Sequence, residues 1–180
     1  MQVETTPFEG LLIVRPRVFG DERGYFFESW NEETFRNAGI NVPFMQDNQS
    51  ASVKNVVRGL HFQTPPFEQG KLVRVISGAV LDVVVDLRRK QPTFGKHFKL
   101  VLDEHEKIML YIPPGFAHGF KTLEDNTVFF YKCTQVYQRD HDSAIRWNDP
   151  DLDIDWEVSD PILSEKDQQA PFFRDFVSPF

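Results

Sequence analysis

Proton transfer near neutral pH calls for an imidazole, and the chain carries five, at His61, His97, His105, His118 and His141. His105 lies in the charged turn Asp103 to Lys107 and His141 in the polar stretch Gln138 to Ser143. Both read as solvated loop residues, as does His97 behind Gly95-Lys96. His61 and His118 stand apart. His61 ends an apolar stretch in Arg58-Gly59-Leu60-His61-Phe62-Gln63, ahead of Pro65-Pro66. His118 follows a rigid Pro-Gly turn in Pro113-Pro114-Gly115-Phe116-Ala117-His118-Gly119-Phe120. Singly, each is as well explained as a satisfied core histidine. Together, each at a turn beside glycine and phenylalanine, they strengthen the case for acid–base chemistry.

Other groups have two readings of their own. Asp82 is a carboxylate inside an apolar strand, where an unpaired charge is costly. Ser164 and Asp167 stand three apart, the spacing of a helix N-cap with an acidic third position. By strand alternation Tyr131 shares a face with Phe129 and Cys133, which suits a core. Cys133 is the only cysteine, so neither an internal disulfide nor a cysteine zinc site is available. The run Pro113 to His118 is similar to a cupin metal motif. A metal centre would also want a second histidine and a carboxylate near His61, but Gln63 stands two positions on and the next acid is Glu68.

The elements that position these groups are short. Leu11 to Val14, Tyr25 to Trp30, Leu72 to Ile76, Val80 to Leu87, Phe98 to Leu102, Ile108 to Ile112 and Val128 to Val136 are apolar segments separated by turn signals. Gly20 to Gly24 is one turn, and Ser77-Gly78 predicts a hairpin between its flanking segments. Evenly spaced strands of this kind indicate an all-β sandwich or barrel. Only two helices are expected: Glu32 to Ala38, capped by Asn31 and stopped at Gly39, and a turn after Ser164.

Composition bounds the rest. One domain accommodates 180 residues, and 18 phenylalanines favour pleated surfaces over helix. A net charge of −7 argues against nucleic-acid binding by bulk charge. No apolar run reaches the ~18 residues of a membrane span, and Met1 to Pro7 does not read as a signal peptide, so a cytoplasmic protein is expected.

Several motifs then occur in one order: Gln46-Asp47-Asn48, Arg58-Gly59-Leu60-His61, Lys71-Leu72-Val73, Asp82-Val83, Val85-Asp86-Leu87-Arg88, Tyr111-Ile112-Pro113 with Gly115 to Phe120, Trp147-Asn148-Asp149-Pro150 and Leu163 to Asp167. This series resembles the dTDP-4-dehydrorhamnose 3,5-epimerases from about Gly20 to about Pro171. The resemblance implies a cupin-like β jelly roll spanning 1–180 as a single domain. It also implies a homodimer whose N-terminal strands cross to the partner. The implied reaction inverts C3 and C5 of a 4-keto-6-deoxy sugar on dTDP, in dTDP-L-rhamnose biosynthesis. A base removes a hydrogen acidified by the C4 ketone, and an acid returns a proton on the opposite face, with neither metal nor redox cofactor.

Position by position, His61 resembles the family's base, Tyr131 its acid and Asp167 the carboxylate that orients the histidine. Lys71 resembles the cation near the C4 oxygen, with Asp82 and His118 lining the same cavity. Arg23, Phe26 and Glu28 match the strand that reaches the other subunit's nucleotide. Gln46, Asn48 and Arg58 match polar contacts to the sugar nucleotide, Tyr137 the aromatic stacked on thymine, and Lys166 a further contact. Asp142 matches a further substrate contact, at a position where the family commonly has glutamate, one methylene longer. The rival readings are an epimerase acting at C3 or C5 alone, a metal-dependent cupin, and a non-catalytic sugar-binding jelly roll.

Overall fold

A computed structural model describes residues 1–180. Thirteen strands form two facing antiparallel sheets and one separate hairpin. The first sheet runs β1 (Gln2–Thr5), β2 (Leu12–Arg15), β10 (Met109–Ile112), β7 (Lys71–Ser77), β12 (Thr127–Cys133), β5 (Gln46–Ser52). The second runs β13 (Asp142–Ala144), β6 (Val57–Gln63), β11 (Phe116–Thr122), β8 (Ala79–Asp86), β9 (His97–Asp103). The hairpin is β3 (Val18–Asp21) with β4 (Gly24–Phe27). This is the cupin-like jelly roll that the resemblance implied.

Strand patterning follows from which faces are covered. The inner faces meet in a core of Val73, Val75, Leu110 and Phe129 from one sheet and Val80, Val84, Leu102 and Phe116 from the other. The outer face of the second sheet is covered by the chain after Ile145, through Leu152, Trp156, Phe173, Phe176 and Phe180. Because β8 is covered on both sides, all eight of its residues are buried, and it reads as a nearly unbroken apolar run. The outer face of the first sheet packs under α1 (Glu32–Asn37) through Phe35, Ile40, Leu72 and Met109. As expected, the Asn31 side chain caps α1 by accepting from the Thr34 N–H at 3.0 Å. Gly39, just past the helix, adopts φ +92, where glycine is unstrained.

Four expectations are corrected. The Ser77-Gly78 turn is not a hairpin: β7 pairs with β10 and β12, while β8 pairs with β9 and β11. The chain changes sheet at Gly78. Its φ is +79, and a Cβ there would lie 2.5 Å from Thr127 Oγ1. Both flanks are apolar because each joins the core from its own sheet, which the sequence pattern cannot distinguish from a paired hairpin. The strand after Asn126 ends at Cys133, three residues short of Val136, and the Tyr25 segment is strand only to Phe27. Finally, His61 and His118 sit within β6 and β11 rather than at turns.

Those two strands are joined unusually closely. His118 pairs with His61 and Phe120 with Arg58, so two residues of β6, Gly59 and Leu60, stand opposite Gly119 alone. This bulge puts Arg58 and His61 on one face although they are three apart. A Cβ on Gly59 would lie 2.5 Å from the Gly119 Cα, and one on Gly119 would lie 2.6 Å from the Arg58 carbonyl oxygen. Gly119→Ala is therefore expected to destabilise the protein by about 1–3 kcal/mol, the usual cost of overpacking against backbone. Urea denaturation checks this, and an unchanged midpoint would mean that β6 and β11 separate freely.

Candidate active site

Toward β5, β12 and β6 the inner faces turn from apolar to polar, and the sheets enclose a cleft. Its outer part holds about 400 Å3, its inner part about 270 Å3, and His61, Lys71 and Tyr131 line both. His61 comes from the second sheet. Lys71 and Tyr131 come from the first, on β7 and β12. The two walls of the cleft therefore carry different chemistry.

His61 Nε2 lies 2.5 Å from Asp167 Oδ1. The imidazole side chain is 33% exposed to the cleft, whereas the carboxylate is buried. Asp167 lies on α2 (Glu165–Gln169), where it belongs to the helix cap and also contacts His61. Its backbone N–H donates to Ser164 Oγ at 3.1 Å, the helix cap, and Ser164 Oγ donates to its Oδ2 at 2.8 Å. Burial works to raise the Asp167 pKa. The hydrogen bond and charge of His61, with the Ser164 hydroxyl, outweigh it and hold the carboxyl below its ordinary value. An ionised Asp167 assigns the imidazole proton to Nε2, leaving Nδ1 as the basic nitrogen.

The opposite wall is built around an amine. Lys71 is buried, is paired with Cys133 across the β7–β12 ladder, and its Nζ makes no hydrogen bond or ion pair within the chain. Burial pulls its pKa down, while Cys133, Asp82 and Asp142 push it back toward the charged form. Its Nζ lies 6.0 Å from the centre of the Tyr131 ring. Tyr131 shares its face with Phe129 and Cys133, as alternation predicts, yet it is half-exposed to the cleft. Burial first, then Cys133 and Asp142, raise its pKa, with Arg58 opposing, so the phenol stays protonated at neutral pH. Asn48 and Gln46 lie beside it on β5, joined by a 3.0 Å hydrogen bond.

His118 and Asp82 form the floor. His118 Nε2 lies 2.8 Å from Asp82 Oδ2, both groups are buried, and Asp82 Oδ1 has no partner. Burial lowers the His118 pKa, opposed by Asp82. Each cleft histidine is thus engaged by a carboxylate. No cluster of three or more His, Cys, Asp or Glu side chains converges anywhere in the chain. Gln63 shares the face of His61 two positions on and was not singled out as a site residue. Its amide is fully engaged, donating to the Phe67 and Val136 carbonyls and accepting from the Gln138 N–H. It ties together the two loops at the mouth, and Gln69 lines the cleft from one of them. A polar residue at the inward period of β6 was the available signal.

At the mouth stand Tyr137, Asp142 and Lys166. Arg58 is exposed and donates to Ser52 Oγ at 3.1 Å. Arg23, Phe26 and Glu28 are not in the cleft. They belong to the β3–β4 hairpin and the residue just beyond it. Phe27 of that hairpin lies under Arg74, 5.5 Å from ring centre to guanidinium, on the face of β7 away from the cleft. Phe26 is 69% exposed.

Comparison with known proteins shows what the whole chain is similar to. The family model described as dTDP-4-dehydrorhamnose 3,5-epimerase matches residues 5–175. The dTDP-4-dehydrorhamnose 3,5-epimerase of Shigella flexneri is 47% identical over 176 residues, 97% of each chain. The crystal structure of that enzyme from Bacillus anthracis, with TDP and PPi bound, superposes with a TM-score of 0.94 at 44% identity, covering 96% of this chain and 99% of that one. The dTDP-6-deoxy-D-glucose-3,5-epimerase of Legionella pneumophila, in complex with dTDP-4-keto-L-rhamnose, gives 0.92 at 42% identity, covering 96% and 93%.

A carboxyl whose folded pKa lies below its unfolded value stabilises the fold above about pH 4, and that contribution is lost as pH falls through the folded pKa. Asp167→Asn keeps a side chain that can accept from the Ser164 hydroxyl but removes the charge facing His61. It is expected to cut turnover sharply while the melting temperature at neutral pH moves little. Its small stability deficit should narrow as pH falls from about 6 to about 3. Chemical denaturation across that range, with turnover measured at neutral pH, checks both. A collapse in stability with normal turnover of the folded fraction would leave Asp167 a helix cap only.

Proposed function

The chain belongs to the dTDP-4-dehydrorhamnose 3,5-epimerase family, and from that premise we propose how its cleft performs the reaction. The activity is epimerisation of dTDP-4-dehydro-6-deoxy-D-glucose at C3 and C5 to dTDP-4-dehydro-L-rhamnose, in dTDP-L-rhamnose biosynthesis. The observation that carries our mechanism is the placement of His61 on one sheet and of Tyr131 and Lys71 on the other, around a single cleft.

A sugar ring lying between the sheets presents one face to His61 and the other to Tyr131. His61 Nδ1 takes the hydrogen from a carbon beside the C4 ketone, and the electron pair moves onto the C4 oxygen. Asp167 stabilises the imidazolium that forms. Lys71, a buried ammonium with no partner in the chain, faces the enolate oxygen, and Asp82 helps keep it charged. The electron pair returns to carbon, which takes the Tyr131 phenol proton on the opposite face. The carbon is inverted, leaving a phenolate and an imidazolium. Both return to their starting forms by exchange with water before the second carbon reacts. No step calls on a metal or redox cofactor.

Tyr137 offers an exposed ring for the base, and Gln46, Asn48, Arg58 and Lys166 line the way to it. The site remains short of Arg23, Phe26 and Glu28, whose hairpin projects from the far side of the first sheet with exposed aromatics. A second copy presenting this hairpin to the mouth completes the grip on the nucleotide, which makes the enzyme a homodimer of single-domain protomers. No helix is long and apolar enough to cross a membrane, and we place the enzyme in the cytoplasm with its nucleotide-sugar substrate.

Deuterium incorporation and product formation, followed by NMR on one sample in heavy water, test the chemistry. His61→Ala is expected to lose both, by at least the 10²–10⁴ or so that general base catalysis supplies. Tyr131→Phe keeps His61, so the enolate forms and is reprotonated on its original face. Exchange continues while little inverted product appears. Equal loss of both signals removes Tyr131 from the acid role, and wild-type values make it a packing residue. Exchange at one ring carbon only in the wild type would mark a single-position epimerase.

Subunit sharing has its own test. His61→Ala and Arg23→Ala proteins, each impaired alone, should recover activity when dissociated and reassociated together, because a mixed dimer holds one intact site. Light scattering that shows a fully active monomer would contradict the dimer.

A further inference from the structure

Tyr137, Asp142 and Lys166 meet at a single atom. Tyr137 Oη donates to Asp142 Oδ2 at 3.1 Å, and Lys166 Nζ donates to the same oxygen at 2.5 Å. Asp142 is largely covered, with 19% of its side chain exposed, while Lys166 is 52% exposed. The carboxylate oxygen is therefore already occupied from two directions within the chain, which is an unusual posture for a substrate contact.

The two donors belong to different parts of the site. Tyr137 is the aromatic wall of the mouth. Lys166 is on α2, immediately before Asp167. Asp142 itself is on β13, in register with Gln63, and β13 places Ala144 opposite His61. One oxygen thus links the strand beside His61, the mouth aromatic and the helix that carries the partner of His61.

α2 needs such a link. It has only five residues, too few to be stable alone. Its C-terminal end is held where Arg146 Nε donates to the Ala170 carbonyl and the Arg146 N–H to the Pro171 carbonyl, both at 2.9 Å. Its other end is approached through Ile162, which exchanges backbone hydrogen bonds with Asn55 and Val57, and Leu163, which packs on the outer core. The Ser164 cap is internal to the helix, so the Lys166–Asp142 pair is the side-chain tie from the first turn of α2 to β13.

We propose that Asp142 is a positioning residue, a strut that holds α2 against β13 so that Asp167 stays on His61, and that sets Tyr137 at the mouth with the same oxygen. The strut rests on the reading of His61 and Asp167 as the base pair. Exposed ion pairs add little to stability, so the strut's effect is on rate. Misplacing a catalytic pair by about 1 Å can cost about a hundredfold.

Steady-state kinetics on dTDP-4-dehydro-6-deoxy-D-glucose, with melting curves, test it in Asp142→Asn, Lys166→Met and the double variant. Each single change should lower kcat by roughly tenfold to a hundredfold, with a smaller rise in KM and little change in melting temperature. The double variant should be no worse than the poorer single one, since both break one strut. Asp142→Glu keeps the charge and should recover most of the kcat that asparagine loses. A raised KM with intact kcat in Asp142→Asn would make Asp142 a substrate contact and overturn the proposal, as would additive losses in the double variant. If Asp142→Asn does not fold, Lys166→Met, on an exposed side chain, decides alone. A wild type inert on this substrate would refute the assigned reaction. An active wild type matched by its variants would refute only the strut.

Discussion

Two sheets can close on each other only where both inner faces are apolar, and here that condition holds across part of their width. Valine, leucine and phenylalanine from both sheets fill the space between β10, β7, β8 and β9. Toward β5, β12 and β6 the inward positions become Gln46, Asn48, Lys71, Tyr131, His61 and Gln63, and no packed core can form from these. The packed side sets the separation that the open side inherits. Each inward polar group must then find a partner or face the cleft. Gln63 and His118 found partners. Lys71 did not, and its amine, buried and without a partner in the chain, faces the cleft.

The same reasoning explains the tail. Asp167 lies 106 residues beyond His61, and nothing local brings them together. The chain after Ile145 is drawn over the outer face of the second sheet by apolar contacts, with the Phe62 and Phe176 ring centres 5.3 Å apart. The C-terminal end is pinned by the Ser178 hydroxyl on the Leu87 carbonyl and by the Arg89 N–H on the Phe180 carbonyl. That wrapping delivers α2 to the edge of β6. Packing that looks purely structural therefore fixes the distance between His61 and Asp167.

Much of this was legible in the sequence where one residue's chemistry sufficed. The Asn31 and Ser164 caps, the alternation that put Tyr131 with Phe129 and Cys133, and a buried Asp82 in need of a partner all follow from local rules. Whatever depends on pairing between distant strands was not legible. The Ser77-Gly78 sheet change looks like a hairpin because both arrangements need a glycine turn between apolar runs. β5, with sequence QDNQSAS, gave no apolar signal because its inward face lines the cleft. The bulge that puts Arg58 and His61 on one face is set by Gly59 against Gly119, two glycines about sixty positions apart. Within the site, the resemblance pointed to His61, Tyr131 and Asp167 together. Residue chemistry alone favoured a core reading of Tyr131 and a cap reading of Asp167, and the structure places Tyr131 on the core face yet open to the cleft, and Asp167 in the cap yet bonded to His61.

Inversion at carbon sets a condition that a single sheet cannot meet. Side chains projecting from one face of one sheet approach a bound ring from the same side, and a base and acid so placed would return the proton where it was taken. Placing the two groups on facing sheets makes the stereochemical outcome a property of the sandwich itself. It also makes the outcome insensitive to which ring carbon is reacting, since a ketone-flanking hydrogen at C3 or at C5 meets the same two walls. Selectivity for the substrate must then come from where the ring is held along the cleft, by groups at the mouth rather than by the proton carriers. On the mechanism proposed above, the mouth residues govern which carbons are inverted, and the His61 and Tyr131 walls govern only that they are.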